Sequence, residues 1–123
     1  NKNIFIVGPS PEFPTFSNNF IKKNMKLKNL SIYEATELLP KIEKNNYLSR
    51  NENVFNIFNS IKSDMEFSDI EFIDISDLFC DNDHCFQYEN KEKKLPLFSD
   101  IDHVNFLGSK LIVKKIFEQL NNN

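Results

Sequence analysis

The residues best suited to do chemistry lie together in Phe98-Ser99-Asp100-Ile101-Asp102-His103-Val104-Asn105. An aspartate three residues before a histidine can reach it when the intervening chain turns. The carboxylate then accepts the Nδ1 proton and fixes the imidazole tautomer, which leaves Nε2 free to take a proton from a hydroxyl. Asp100 and His103 thus offer a general base and its orienting group. Asp102 competes for the same imidazole, and a surface histidine bonded to Asp102 or Asn105 is the structural alternative.

No nucleophile completes this pair. Ser10 follows Gly8-Pro9 in a proline-flanked loop with no helix start to supply amide donors, and Ser99 adjoins Asp100, poorly placed to face His103. With two glycines in the chain, Gly8 and Gly108, a Gly-x-Ser-x-Gly elbow, a P-loop and a dinucleotide fingerprint are all excluded.

Cys80 and Cys85 bracket an acidic turn, Cys80-Asp81-Asn82-Asp83-His84-Cys85. Three states are open. A disulfide would close a loop of about six residues, stabilise by about 2 kcal/mol through loop entropy and imply an oxidising compartment. Zinc would recruit His84 and a fourth ligand, but the second cysteine pair of a zinc knuckle is missing. Two free thiols in a reducing compartment are the third state. Asp81 and Asp83 are too few for a calcium loop of the EF-hand type.

The elements that must position these groups are short. Ile4-Phe5-Ile6-Val7 reads as a buried strand of the parallel kind, ended by Gly8-Pro9; the proline-rich loop through Pro14 is a substrate-facing edge or a stiff turn. Residues 15–48 are the least patterned, with an irregular helix carrying Phe16, Phe20 and Met25, and another from Ile32 to Leu39 stopped by Pro40. The spacing predicts an amphipathic helix over 49–65, opened by a Ser49–Glu52 capping box, with Val54, Phe58, Ile61 and Met65 on one face. A second strand over Ile70–Ile75 then suggests a βαβ crossover. Ser76–Cys80 reads as one turn, and residues 86–98 as a small hairpin with Lys91-Glu92-Lys93-Lys94 at its tip. Asn105 caps a last helix whose inner face is Leu107, Leu111, Ile112, Ile116 and Leu120, with Lys114 and Lys115 toward solvent.

The chain has 123 residues, 40% hydrophobic and 27% charged, with a net charge of −3. This fits one small domain or part of one, and fits neither a disordered nor a nucleic-acid-binding composition. Residues 1–50 carry +4 and residues 51–123 carry −7. The lysines of 22–28 read as solvated surface, since no aromatics interleave with them. No apolar run approaches the roughly 18 residues needed to cross a bilayer.

Three blocks in order carry a family resemblance. The stretch from Phe72 to Cys85 resembles the segment of SGNH domains, attached to bacterial membrane O-acyltransferases, in which an aspartate and a leucine lead into Cys-x4-Cys. Leu97-Phe98-Ser99-Asp100-Ile101-Asp102-His103-Val104-Asn105-Phe106-Leu107-Gly108 resembles that family's last block, Asp-x-x-His-Leu-Ser-x-x-Gly, with Val104-Asn105 standing in for Leu-Ser. Ile6-Val7-Gly8-Pro9-Ser10-Pro11 resembles its Val-Gly-Pro-x-Pro block.

The resemblance implies a three-layer α/β/α fold with a parallel sheet, of which residues 1–123 form the C-terminal portion. It implies that Asp100 orients, that His103 is the general base, and that Cys80 and Cys85 form a disulfide. The serine would come from an upstream Gly-Asp-Ser block and the oxyanion hole from Gly and Asn blocks; none of the three occurs here. The chain is therefore expected to be a partial domain, inactive alone. The start without Met or signal peptide likewise reads as that of an excerpt. The implied reaction transfers an acyl group, expected to be acetyl, to a hydroxyl of a cell-envelope glycan such as lipopolysaccharide or peptidoglycan. No cofactor and no metal are implied. The implied partners are the upstream part of the domain, a fused transmembrane acyltransferase domain, an acyl donor and a glycan acceptor, with no nucleic acid. The implied place is the extracytoplasmic (periplasmic or cell-surface) face of the bacterial inner membrane. The alternatives are a non-catalytic glycan-binding or structural α/β module, and a stand-alone SGNH carbohydrate esterase.

Overall fold

A computed structural model describes residues 4–89 and 94–122. The β-branched run Ile4–Val7 forms strand β1, which pairs in parallel with β3 (Ile70–Ile73), from Ile4 opposite Ile70 to Val7 opposite Ile73. Parallel neighbours need a long crossover. Here it holds four helices: α1 (Ser17–Lys28), α2 (Ile32–Glu37), α3 (Lys44–Arg50) and α4 (Glu52–Ser63). The short β2 (Ile42–Glu43) pairs antiparallel with β4 (His84–Cys85), which follows α5 (Ser76–Phe79). The last helix, α6, spans Phe106–Asn121. The architecture is mixed α/β with a small parallel sheet.

β1 was expected to be buried, yet Ile4 is 47% and Val7 38% exposed, because β3 is its one strand neighbour among the described residues. The second strand stops at Ile73 rather than Ile75; the Asp74 carboxylate accepts the Ser76 amide at 2.9 Å and turns the chain into α5. The segment 49–65 is not one helix. Ser49 lies inside α3, and Asn51 starts α4 with no side-chain cap, its amide donating instead to the Tyr47 carbonyl at 2.9 Å. The capping box is instead at Ser31-Ile32-Tyr33-Glu34, where Ser31 has extended backbone, its hydroxyl accepts the Glu34 amide and the Glu34 carboxylate accepts the Ser31 amide at 2.8 Å. Met65 falls beyond α4 and is exposed, while Phe58 stacks on Phe72 of β3 with centroids 3.9 Å apart.

One core cluster gathers Phe13, Tyr47, Ile73, Ile75, Phe79, Cys85, Leu97 and Phe98. A second, smaller cluster holds Ile21, Ala35, Leu39, Phe86 and Tyr88. Residues 86–89 and 94–98 lie side by side, with Tyr88 bridged to Pro96 and the Leu97 amide donating to Gln87 O at 2.8 Å. The expected tip at Lys91, Glu92 and Lys93 lies outside the described residues. Leu111, Ile112 and Ile116 of α6 pack on the first cluster, whereas Leu107 and Leu120 stay over a third exposed. Lys115, expected in solvent, pairs with Asp77 of α5 and is largely covered.

Candidate active site

Asp100 and His103 sit on a short loop whose two ends are fixed in the core. Leu97 and Phe98 are fully buried, and the Phe98 ring meets those of Phe13 and Phe79 edge-on at 5.1 Å. Phe98 bridges Val104 across the loop, and the Ser99 amide donates to His103 O at 2.8 Å. Beyond it, the Asn105 carboxamide oxygen accepts the Leu107 and Gly108 amides as the α6 cap, while its Nδ2 donates to Pro96 O at 2.8 Å. The expected cap is thus present and also ties the helix to the hairpin.

Inside the loop, Asp100 does two things. Its Oδ1 accepts the backbone amides of Asp102 at 3.0 Å and His103 at 2.7 Å, forming an Asx turn. Its Oδ2 lies 2.8 Å from His103 Nδ1. Asp102 competes as its position suggests, with a carboxylate oxygen 3.0 Å from the same nitrogen. Nδ1 is thus hydrogen-bonded to Asp100 with the Asp102 charge close beside it. The His103 side chain is 76% exposed, with Nε2 directed to no described partner.

The electrostatics follow from these bonds. The two backbone amides, and then the imidazole, hold the Asp100 carboxyl down to about 2. The hydrogen bond and charge of Asp100, with the charge of Asp102 added, raise the His103 imidazole above its usual value. Asp100, Asp102 and His103 also form the group of possible cation ligands among the described residues, with ligand atoms within 4.8 Å of one another.

The loop after β1 packs against this turn. The Ser10 hydroxyl donates to Asp102 O at 3.0 Å, and the Phe13 amide donates to Ile101 O at 2.7 Å. The Gly8 amide donates to Ile73 O at 2.8 Å, so the loop leaves directly from the carboxyl end of the parallel pair. A Cβ at Gly8 would lie 2.8 Å from the Phe72 ring, which explains the residue there. Ser99 Oγ donates to His103 O at 3.2 Å. Both candidate serines thus spend their hydroxyls on backbone carbonyls of the turn.

Cys80 and Cys85 are joined as a disulfide, which removes both from zinc ligation and from the free-thiol state. The bond pins the turn that links α5 to β4. Sequence reasoning missed a cleft next to the site, lined by Glu12, Asn46, Tyr47 and Arg50 among others. Glu12 and Arg50 pair at 2.7 Å across the crossover, in a stretch where no local pattern announces it.

The family model for the SGNH domain fused to AT3 domains matches residues 1–118. No curated protein and no solved structure matches the chain. Among the described residues no helix is long and apolar enough to cross a membrane. The blocks around Gly8, Cys80–Cys85 and Asp100–His103 are thus parts of one domain pattern, and the chain belongs to the family of SGNH domains fused to AT3 domains, an acyltransferase-associated module.

Proposed function

We propose that the chain is the C-terminal portion of an SGNH acyl-transfer domain in which His103 is the general base and Asp100 its orienting carboxylate. The observation that carries this is the 2.8 Å contact between Asp100 Oδ2 and His103 Nδ1, on a loop held against the carboxyl end of the β1–β3 pair. With Nδ1 engaged, the imidazole is held as the tautomer whose Nε2 can accept a proton. A serine supplied by the upstream part of the domain gives its proton to Nε2 as its oxygen bonds the acyl carbon. The leaving group of the donor takes that proton. An acceptor hydroxyl then loses its proton to Nε2 and attacks the acyl-serine, and the serine oxygen recovers the proton as it departs. A cell-envelope glycan hydroxyl as acceptor gives O-acylation, expected to be O-acetylation; water gives an esterase. In this reading the full domain has the three-layer α/β/α arrangement and works on the extracytoplasmic face of the membrane, beside its fused transmembrane domain.

Ester turnover by the full-length protein tests it. His103→Ala is expected to abolish turnover of an acetyl ester while the thermal unfolding midpoint holds. Undiminished turnover removes His103 from the chemistry. One observation favours a structural reading: the Asx turn of Asp100 supports the loop whether or not His103 reacts. In a non-catalytic glycan-binding or structural module, that turn would be its whole purpose, and His103→Ala would change neither turnover nor stability.

A further inference from the structure

A cleft of about 350 Å³ opens between the loop after β1 and the α3–α4 corner. Its floor is apolar, made by Phe13, Tyr47 and Ile42. Its rim is polar without net charge. Glu12 and Arg50 pair there at 2.7 Å with the Arg50 side chain 62% exposed. The Asn46 carboxamide stands beside them with no hydrogen-bond partner among the described residues.

This cleft shares a wall with the His103 turn. Ser10 and Phe13 both line it, and these two residues carry the bonds to Asp102 O and Ile101 O. Tyr47 locks the opposite side, its hydroxyl donating to Pro9 O at 2.9 Å. Burial, and then the charge of Asp74, push that phenol up, so it stays a donor at any working pH.

The chemistry of the lining selects a ligand class. An apolar occupant would strand the Asn46 amide and the ion pair without water. An anion would meet the Glu12 carboxylate. A neutral polyhydroxylated ligand matches: its hydroxyls donate to Glu12, accept from Arg50 and Asn46, and its C–H face covers Phe13. We infer that the cleft binds a neutral sugar, with Glu12, Arg50 and Asn46 as its specificity-determining residues. Resting on the acyl-transfer reading, this makes it the acceptor subsite.

Equilibrium dialysis of radiolabelled chitobiose against the full-length protein tests the assignment, with glucuronic acid as the anionic comparison. Arg50→Gln and Asn46→Ala are each expected to weaken chitobiose binding about tenfold, the loss of one good polar contact. Lys28→Gln, on exposed α1, is expected to change nothing, and unchanged unfolding midpoints show that the variants fold. Absent chitobiose binding, tighter binding of glucuronic acid, or full affinity in both cleft variants overturns the assignment. His103→Ala separates the two readings: it is expected to bind chitobiose normally while losing ester turnover. Retained turnover in that variant sinks the acyl-transfer reading and leaves the sugar cleft standing.

Discussion

Gly108→Ala sets helix propensity against packing, and the two predict opposite signs. Alanine in a helix is worth about 1 kcal/mol over glycine. At this position, however, a Cβ would sit 2.4 Å from Leu97 O and 2.9 Å from Val104 Cβ. Neither neighbour is the end of a flexible side chain. Leu97 O already accepts the Asn105 amide at 2.8 Å, the bond that closes the base of the His103 loop. Overpacking of this kind costs about 1–3 kcal/mol, and losing the Leu97–Asn105 bond adds about 1 kcal/mol. The net expectation is destabilisation of about 1–3 kcal/mol, a fall in unfolding midpoint of roughly 4–12 °C for a domain this size. Calorimetry reads the midpoint, and urea unfolding at constant m confirms that stability alone has changed. Lys110→Ala, on the exposed side of the same turn, is the control. A midpoint for Gly108→Ala equal to or above that of the parent would show that the helix slides to accommodate the methyl group, and would refute the claim that glycine is required for close approach to the loop.

The other predictions concern the loop and its neighbours. Asp100→Asn keeps an oxygen for the Asx turn but presents an amide donor to Nδ1, so the imidazole carries its proton on Nε2. Reversing the tautomer costs about 10⁴ in turnover in serine proteases; here Asp102 lies 3.0 Å from Nδ1, so the single variant is expected to lose less than Asp100→Asn with Asp102→Asn, and equal rates in single and double variants would exclude a part for Asp102. Imidazole titration by NMR is expected to show a midpoint above 6.5 that falls in Asp100→Asn; base-dependent turnover rises with pH through that midpoint. The stabilising contribution of a raised histidine is complete below its unfolded value and lost as pH rises through the folded one, while that of Asp100 is present above 3.8 and lost as pH falls through about 2. Reducing Cys80–Cys85 is expected to cost about 2 kcal/mol by loop entropy, read as a lower urea midpoint; no shift would mean that α5 and β4 hold the turn unaided.

What was legible in the sequence was local. The strand character of β1 follows from its own β-branched run, and the Asn105 cap and the Asp100–His103 pair have their partners within a few residues, which the structure brings together. Long-range outcomes were not legible. Four Ser-x-x-Glu stretches look alike, at Ser31, Ser49, Ser63 and Ser68, and of these only Ser31 enters a helix from extended backbone, while Ser49 is absorbed into α3 and Ser63 into α4. The sugar cleft depends on Glu12 meeting Arg50 and on Tyr47 reaching Pro9 O, contacts made by the whole crossover. The exposure of β1 depends on its neighbours in the sheet, which its own four residues do not specify.

The loop has a twin that shows why spacing alone misleads. Asp81-Asn82-Asp83-His84 and Asp100-Ile101-Asp102-His103 share one pattern, and both first aspartates form the same Asx turn. Asp81 Oδ1 accepts the Asp83 and His84 amides at 2.8 and 2.7 Å, much as Asp100 Oδ1 accepts its own pair. In both, these amides are the main cause of the lowered carboxyl. The imidazoles part company. His84 belongs to β4, opposite Glu43 and beside the disulfide, and its ring leans toward Phe86 at 6.4 Å. His103 is in no strand, and its ring folds back onto two carboxylates. The Asp-x-Asp-His pattern therefore encodes a turn. The residues after the two histidines both bridge back across their loops, Cys85 to Cys80 and Val104 to Phe98; what separates the histidines is β2, which pairs with His84 and Cys85 and draws that histidine into a ladder, whereas among the described residues no strand pairs with His103. Val104→Gly leaves the two backbone bonds of the bridge, Ser99 N–H to His103 O and Asn105 N–H to Leu97 O, but removes the side chain that packs beside Gly108 and frees the loop backbone; this should release the His103 ring from Asp100 before the domain unfolds, seen as an imidazole midpoint drifting back toward 6.5 with the Asp81 turn undisturbed. A midpoint that stays raised in that variant would mean that the two carboxylates alone orient the ring.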